Sequence, residues 1–148
     1  MSIKTDVKDS FKNTLIGTGY FTGVKCAPFW DGINVLQKIK MPYCFFALTE
    51  LSLEERNRGI LSNCKIDIEA WFKLNKHTEE DVFDACDEIE TLIHTNIVNA
   101  IKSKVILLQK FKKLPSEYII PDDVYGIVSI EYEIGFMCKY NNFNSINL

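Results

Sequence analysis

The sequence predicts an α+β fold, a single domain with a mostly antiparallel β-sheet, an N-terminal helix and a long helix packed on it. Three observations predict it. Residues 63–74 and 127–138 alternate apolar and polar side chains, the period of a half-buried strand. Residues 78–102 instead repeat apolar side chains at helical spacing. No internal repeat, low-complexity tract or second-domain boundary interrupts the chain, so residues 3–138 read as one domain and 139–148 as a polar C-terminal tail.

The first element is a short amphipathic helix. Ile3, Val7, Phe11 and Leu15 recur every fourth residue among lysines and aspartates, and Gly17 and Gly19 supply the stop. From Tyr20 to Lys40 the pattern is irregular, with turn signals at Pro28 and Asp31-Gly32, and predicts one short strand and a loop. Pro42 opens the run YCFFAL, which has no polar face and suits a strand covered on both sides within a sheet. The charged segment TELSLEERNRG then connects it to CKIDIEAWFKL, as an antiparallel hairpin with an extended arm.

In that second strand Cys64, Ile66, Ile68, Ala70, Phe72 and Leu74 share one face, and Lys65, Asp67, Glu69, Trp71 and Lys73 the other. Trp71 is the anomaly. An indole on a solvated face exposes apolar area for no structural gain, so either a helix of the same chain or another subunit covers it.

Thr78 and Asp81 form a capping-box variant ahead of the stripe Val82, Cys86, Ile89, Ile93, Ile97 and Ile101, with Thr95-Asn96 as a candidate break. VILLQKF predicts a further strand. After it comes a loop with Pro115 and Pro121-Asp122-Asp123, of a length that is usually functional or mobile. The closing strand sets Val128, Ile130, Tyr132, Ile134 and Phe136 against Ser129, Glu131, Glu133 and Gly135.

Composition narrows the function. The 148 residues include 17 Lys and Arg against 20 Asp and Glu, a net charge of −3, which disfavours a general nucleic-acid binder because that role needs cations to displace counterions from phosphates. Five scattered cysteines with no C-x-x-C pair read as reduced, buried thiols of a cytosolic protein. The N-terminus resembles no secretion signal, and the longest apolar run, Tyr43–Leu48, is far short of the ~20 residues that span a bilayer. No membrane association is predicted.

No catalytic residue, cofactor or metal is predicted either. His77 and His94 lie far apart without ligands at zinc spacing and read as surface histidines. No activated serine or cysteine context is present. Gly17-Thr18-Gly19 ends a helix where a phosphate loop would begin one, and Asp122 with Asp123 reads as a turn rather than a cation site. The charges segregate: Glu79, Glu80, Asp81, Asp84, Asp87, Glu88 and Glu90 precede Lys102, Lys104, Lys110, Lys112 and Lys113. That order favours the helix dipole on solvated faces, and it also suits identical copies docking head-to-tail around a ring.

The succession of elements, through KMPYCFFALTE, LEERNRG, CKIDIEAWF, TEEDVFDACDEIETLI and IVSIEYEIGF, resembles the tail-terminator proteins of long-tailed bacteriophages over roughly residues 3–138. The nearest local matches are Pro42 before its strand, Ile66, Ile68 and Phe72, and Tyr132 with Ile134. The stretches Gly23–Ile39 and Lys112–Tyr125 depart from the pattern, the first in length and aromatic content and the second in its prolines.

The resemblance implies a homo-hexameric ring in the virion tail, assembled in the host cytoplasm. It would cap the tail tube, stop its polymerisation and offer its far side to the head-tail connector, with DNA passing through unbound. Candidate interface residues are Glu54, Glu55, Arg56, Arg58, Trp71, Lys112, Lys113, Asp122 and Asp123. An acidic bore would be lined by Glu79, Glu80 and Asp84, or by Glu131 and Glu133. The competing expectations are a head-completion or neck protein of related fold, a small cytosolic enzyme, and an adaptor that binds one partner through residues 50–58.

Overall fold

In a computed structural model of the chain, residues 3–26, 39–57, 59–75 and 78–138 are described. They run in the order α1 (Ile3–Gly17), β1 (Gly23–Cys26), β2 (Tyr43–Arg56), β3 (Gly59–Lys73), α2 (Glu79–Lys102), β4 (Lys110–Lys113), β5 (Glu117–Ile119) and β6 (Tyr125–Cys138). The sheet order is β1-β2-β3-β6-β4, with β5 also on β6. Only β1 pairs in parallel; every other neighbour is antiparallel. The domain is therefore α+β with a mostly antiparallel sheet. The polar tail lies outside the described residues.

Both helices follow from local signals. α1 buries Val7, Phe11 and Leu15 and stops at the glycines, where Gly19 takes φ 69°, a left-handed conformation that favours glycine. α2 starts on a reciprocal cap: Thr78 Oγ1 accepts from the Asp81 amide at 3.2 Å, and Asp81 Oδ2 accepts from the Thr78 amide at 3.0 Å. The expected break at Thr95-Asn96 does not occur, because Asn96 Nδ2 donates to the Leu92 carbonyl at 2.7 Å and its side chain stays on the helix. α2 ends in a Schellman turn, with Val105 N–H on the Ala100 carbonyl (2.9 Å), Lys104 N–H on that of Ile101 (3.0 Å), and Lys104 at φ 59°.

Three sequence expectations are corrected in the sheet. The antiparallel hairpin with its extended arm is present, but the charged segment TELSLEERNRG belongs to its strands and is not a separate connection: β2 and β3 stay paired from Tyr43 opposite Trp71 to Arg56 opposite Gly59, with one bulge between Glu50 and Ser52. Its polarity reflects a β2 edge strand exposed on both faces, which local composition cannot distinguish from a loop. In VILLQKF the strand begins only at Lys110, because the Schellman turn steers Val105–Leu108 across the end of α2 and buries Ile106 alone among its apolar residues. The loop after it contains β5. β4 and β5 form one interrupted edge strand on β6, held between them by the Leu114 amide on the Glu131 carbonyl (2.9 Å), and its register slips by one residue across Leu114-Pro115-Ser116.

The main core lies between the helices and one face of the sheet. Phe11, Leu15, Ile89, Ile93 and Ile97 meet Phe46, Ile66, Ile68, Ile130, Tyr132 and Phe136. At Gly126 a Cβ would stand 2.5 Å from Phe72 Cζ, so a larger residue there must displace that ring. All five cysteines are unbridged. Cys44, Cys64, Cys86 and Cys138 are buried, and burial, reinforced by Asp87 and Glu90, pushes the Cys86 thiol up to about 11.

The second sheet face carries a smaller cluster of Phe45, Trp71 and Ile127, flanked by Ile39, Met41, Tyr43 and Tyr125. The tryptophan is thus covered within its own chain. Trp71 is 5% exposed; among the described residues Phe45, Ile127, Met41 and Tyr125 pack around it, while α1 and α2 lie on the opposite face.

Candidate functional site

The strand axis gives the molecule two ends. β2 and β6 rise from Tyr43 and Tyr125 toward the arm at Arg56 and Cys138, and α2 rises with them, from Asp87 beside Tyr118 to His94 beside Tyr132. Among the described residues, the exposed large apolar side chains sort to these ends. Leu51, Leu53, Val105 and Leu107 lie toward the arm, and Ile16, Tyr20, Phe83, Ile119, Ile120 and Val124 toward the other end. A groove of about 240 Å³ marks the arm end, where Ile3 and Val7 of α1 face Val105, Leu107 and Met137.

Between the ends, the face away from the helices is polar and its charges are largely matched. Lys65 Nζ contacts Glu131 Oε1 at 2.9 Å and Asp67 Oδ1 at 3.6 Å. The Lys65 ammonium is raised, chiefly by its hydrogen bond to Glu131. Burial raises the Asp67 carboxyl against the pull of Lys65, and burial raises Glu69 against the hydrogen bond it accepts from Trp71 Nε1 at 3.4 Å. Toward the arm, Glu54 Oε2 meets Arg56 Nη2 at 2.7 Å and Lys110 Nζ at 3.6 Å, spanning a groove of about 560 Å³ lined by Leu51, Asn63, Lys112 and Glu133.

The predicted site residues therefore fall into separate places. Glu54 and Arg56 on the arm share the polar face of the upper sheet with Lys112, while alternation puts Glu55 on the other face and Lys113 turns to the helix side. Asp122 and Asp123 lie at the far end, where Asp122 Oδ1 accepts from the Val124 and Tyr125 amides at 2.8 and 2.9 Å, the turn expected of them. Trp71 is buried away from all of these, so the exposed indole that suggested an interface is absent. Arg58 and His77 lie outside the described residues. The two acidic sets occupy opposite sides of the sheet: Glu79, Glu80 and Asp84 are exposed on α2, and Glu131 and Glu133 sit on the polar face. One bore can be lined by only one of them.

Sequence reasoning missed a polar clamp that ties α2 to the edge strand. Glu90 Oε1 accepts from Lys113 Nζ at 3.0 Å and from Ser116 Oγ at 2.9 Å, and Lys113 also donates to Ser116 Oγ at 2.8 Å. The Tyr118 hydroxyl reaches Glu90 Oε2 at 2.5 Å and also contacts Asp87. One turn further along α2, His94 Nδ1 hydrogen-bonds the Tyr132 hydroxyl at 3.0 Å and stacks on the Tyr132 and Phe111 rings, so it is not the surface histidine expected. The available signal was the stripe Asp87, Glu90, His94 running beside the apolar stripe.

The clamp shifts the acidities of the groups it joins. Burial would raise Glu90, but the hydrogen bonds from Tyr118, Lys113 and Ser116 outweigh it and hold the carboxyl below its ordinary value. Burial and then Lys113 lower His94, and burial with Asp87 and Glu90 raises the Tyr118 phenol. Among the described residues, no group of three or more His, Cys, Asp or Glu side chains is arranged to hold a metal, and no helix is long and apolar enough to cross a membrane. Comparison with protein-family models and with curated proteins returns no match.

Proposed function

We propose that this chain is a virion structural protein of the tail-terminator type: a hexameric ring that caps the tail tube, stops its polymerisation and offers its other side to the head-tail connector. The observation that carries the reading is the placement of exposed apolar side chains at two unlike ends of the strand axis, with matched charges between them. Leucines and valine mark one end, and aromatics with an isoleucine-proline-aspartate turn mark the other.

A tube grows because each added ring presents the surface that the next one copies. A subunit whose two ends differ matches the tube on one side and presents a surface no further tube subunit fits, so growth stops without any bond being made. The exposed acids of α2, Glu79, Glu80 and Asp84, are better suited to line a DNA-conducting bore than Glu131, whose charge Lys65 already matches. On this reading the protein resides in the host cytoplasm during assembly and then in the tail.

A neck or head-completion role differs in its partner, and the Tyr118–Glu90–His94 cluster, which would favour a small enzyme, lines neither groove described above. The test is to add purified protein to tail tubes and to connector complexes and to image both by electron microscopy, with light scattering for ring mass. Rings on tube ends that block elongation support the terminator reading. Rings only on connectors move it to the neck, and a monomer that binds neither sinks both.

A further inference from the structure

We propose that the outer edge of β2 beyond β1, residues 47–56, pairs antiparallel with the β4–β5 edge, residues 110–119, of a second copy of this chain. The pairing deepens the ring reading and rests on it only for closure. Among the described residues β1 pairs with β2 from Tyr43 to Phe46, and Ala47–Arg56 has a strand on one side only. The opposite margin of the sheet, β4 with β5, likewise pairs only with β6. A strand edge with open N–H and C=O groups is a template for another strand, and proteins usually blunt it. Here it shows Leu51 and Leu53, 53% and 45% exposed.

The two edges match in length and oppose in charge. Residues 47–56 carry Glu50, Glu54, Glu55 and Arg56, a net −2; residues 110–119 carry Lys110, Lys112, Lys113 and Glu117, a net +2. Unlike edges attract and like edges repel, which selects a heterologous contact over a two-fold one. Among the described residues, Glu55 and Lys112 form no ion pair, and Lys110 meets Glu54, which also pairs with Arg56 at 2.7 Å, only at 3.6 Å with both side chains about half exposed.

Direction and register agree with this. Within one copy β4 runs antiparallel to β2, and rotation about an axis along the strands preserves direction, so β4 of the next copy meets β2 antiparallel. Glu54 and Lys112 lie on the same polar face. Setting them opposite one another places Ala47 against Ile119 and Arg56 against Lys110, so both edges pair along their whole length. The same register sets Pro115 against Leu51. Because Leu114 donates inward to Glu131, the Pro115 nitrogen faces outward without a hydrogen, and it meets β2 at the bulge, where regular pairing is already interrupted. The like-charged pair at the tip, Arg56 with Lys110 of the second copy, is offset by Glu54, 2.7 Å from Arg56.

Glu54→Cys and Lys112→Cys, made separately in the full chain and mixed under mild oxidation, test the pairing. Within one copy β2 and β4 are three strand spacings apart, roughly 14 Å, beyond the ~7 Å that a disulfide spans between Cα atoms. A bond between these positions must join two copies. The mixture is expected to yield a covalent dimer that neither variant forms alone, each melting like the parent protein. Cross-linking of Glu54→Cys with itself, or no cross-link in the mixture, overturns the proposal. A ring without this cross-link removes the edge assignment and keeps the ring, whereas a cross-linked assembly that ignores tail tubes keeps the edge assignment and removes the terminator reading.

Discussion

Trp71→Ala separates a buried indole from an interface one. Trp71 is 5% exposed, packs with Phe45 and Ile127, sets its ring edge-on to Tyr125 at a centroid distance of 6.1 Å, and donates Nε1 to Glu69 at 3.4 Å. An aromatic of this size buries ~150–250 Å², which at ~25 cal/mol per Å² is roughly 4–6 kcal/mol as an upper figure. Core Trp→Ala losses run ~3–5 kcal/mol. Among the described residues three buried side chains make up this cluster, so its partners can close in, and a loss of about 3 kcal/mol is expected. With a urea slope of about 2 kcal/mol per M, the midpoint should fall by roughly 1.5 M. Far-UV circular dichroism is the suitable probe, because the substitution removes one of the two tryptophans. A near-parental midpoint combined with loss of self-association would refute the reasoning and return Trp71 to an interface.

Glu90→Gln should destabilise the protein by about 1–2 kcal/mol at pH 7, since hydrogen bonds to a charged group are weakened. Because the folded Glu90 carboxyl lies below its ordinary value, its stabilisation is present above that value and is lost as pH falls through the lowered folded one. Denaturant midpoints of the variant should therefore fall less steeply in acid than the parent's; parallel curves would count against the clamp. Asp67 and Glu69, both raised mainly by burial, act in the opposite sense and recover stability as pH falls, so the comparison is made between variant and parent. Lys104→Gly should relieve the left-handed φ of 59° and stabilise by about 1 kcal/mol, a rise in Tm of roughly 2–4 °C, while Lys104→Ala should leave the Tm nearly unchanged. A fall in Tm for the glycine variant would show that the lysine side chain holds the turn.

Where a signal is local, it was legible. The two alternating strands, the α2 stripe with its Thr78–Asp81 cap, the glycine stop of α1 and the Asp122 turn depend on neighbours within a few residues. Errors arose where one local pattern serves two structures. The charged stretch from Glu50 to Arg56 is as compatible with a loop as with a strand exposed on both faces, and only its pairing with Gly59–Cys64 decides between them. Val105–Leu108 has a strand's composition, but the end of α2 directs its path. Of the candidate site, the charge segregation was readable, but not that Glu131 would be matched by Lys65 or that the two acidic sets would face opposite ways.

By itself, the sequence determined the periodicities, and with them the two helices, the long strands, the charges their outer faces carry and the α+β class. These follow from side-chain alternation, helical spacing and capping, which act over one or two turns of chain. Tertiary structure alone decided what covers Trp71, which acid meets which lysine, and which strand edges stay open. Those outcomes join residues such as Glu90 and Tyr118, 28 positions apart, whose proximity exists only once the sheet has closed around its core.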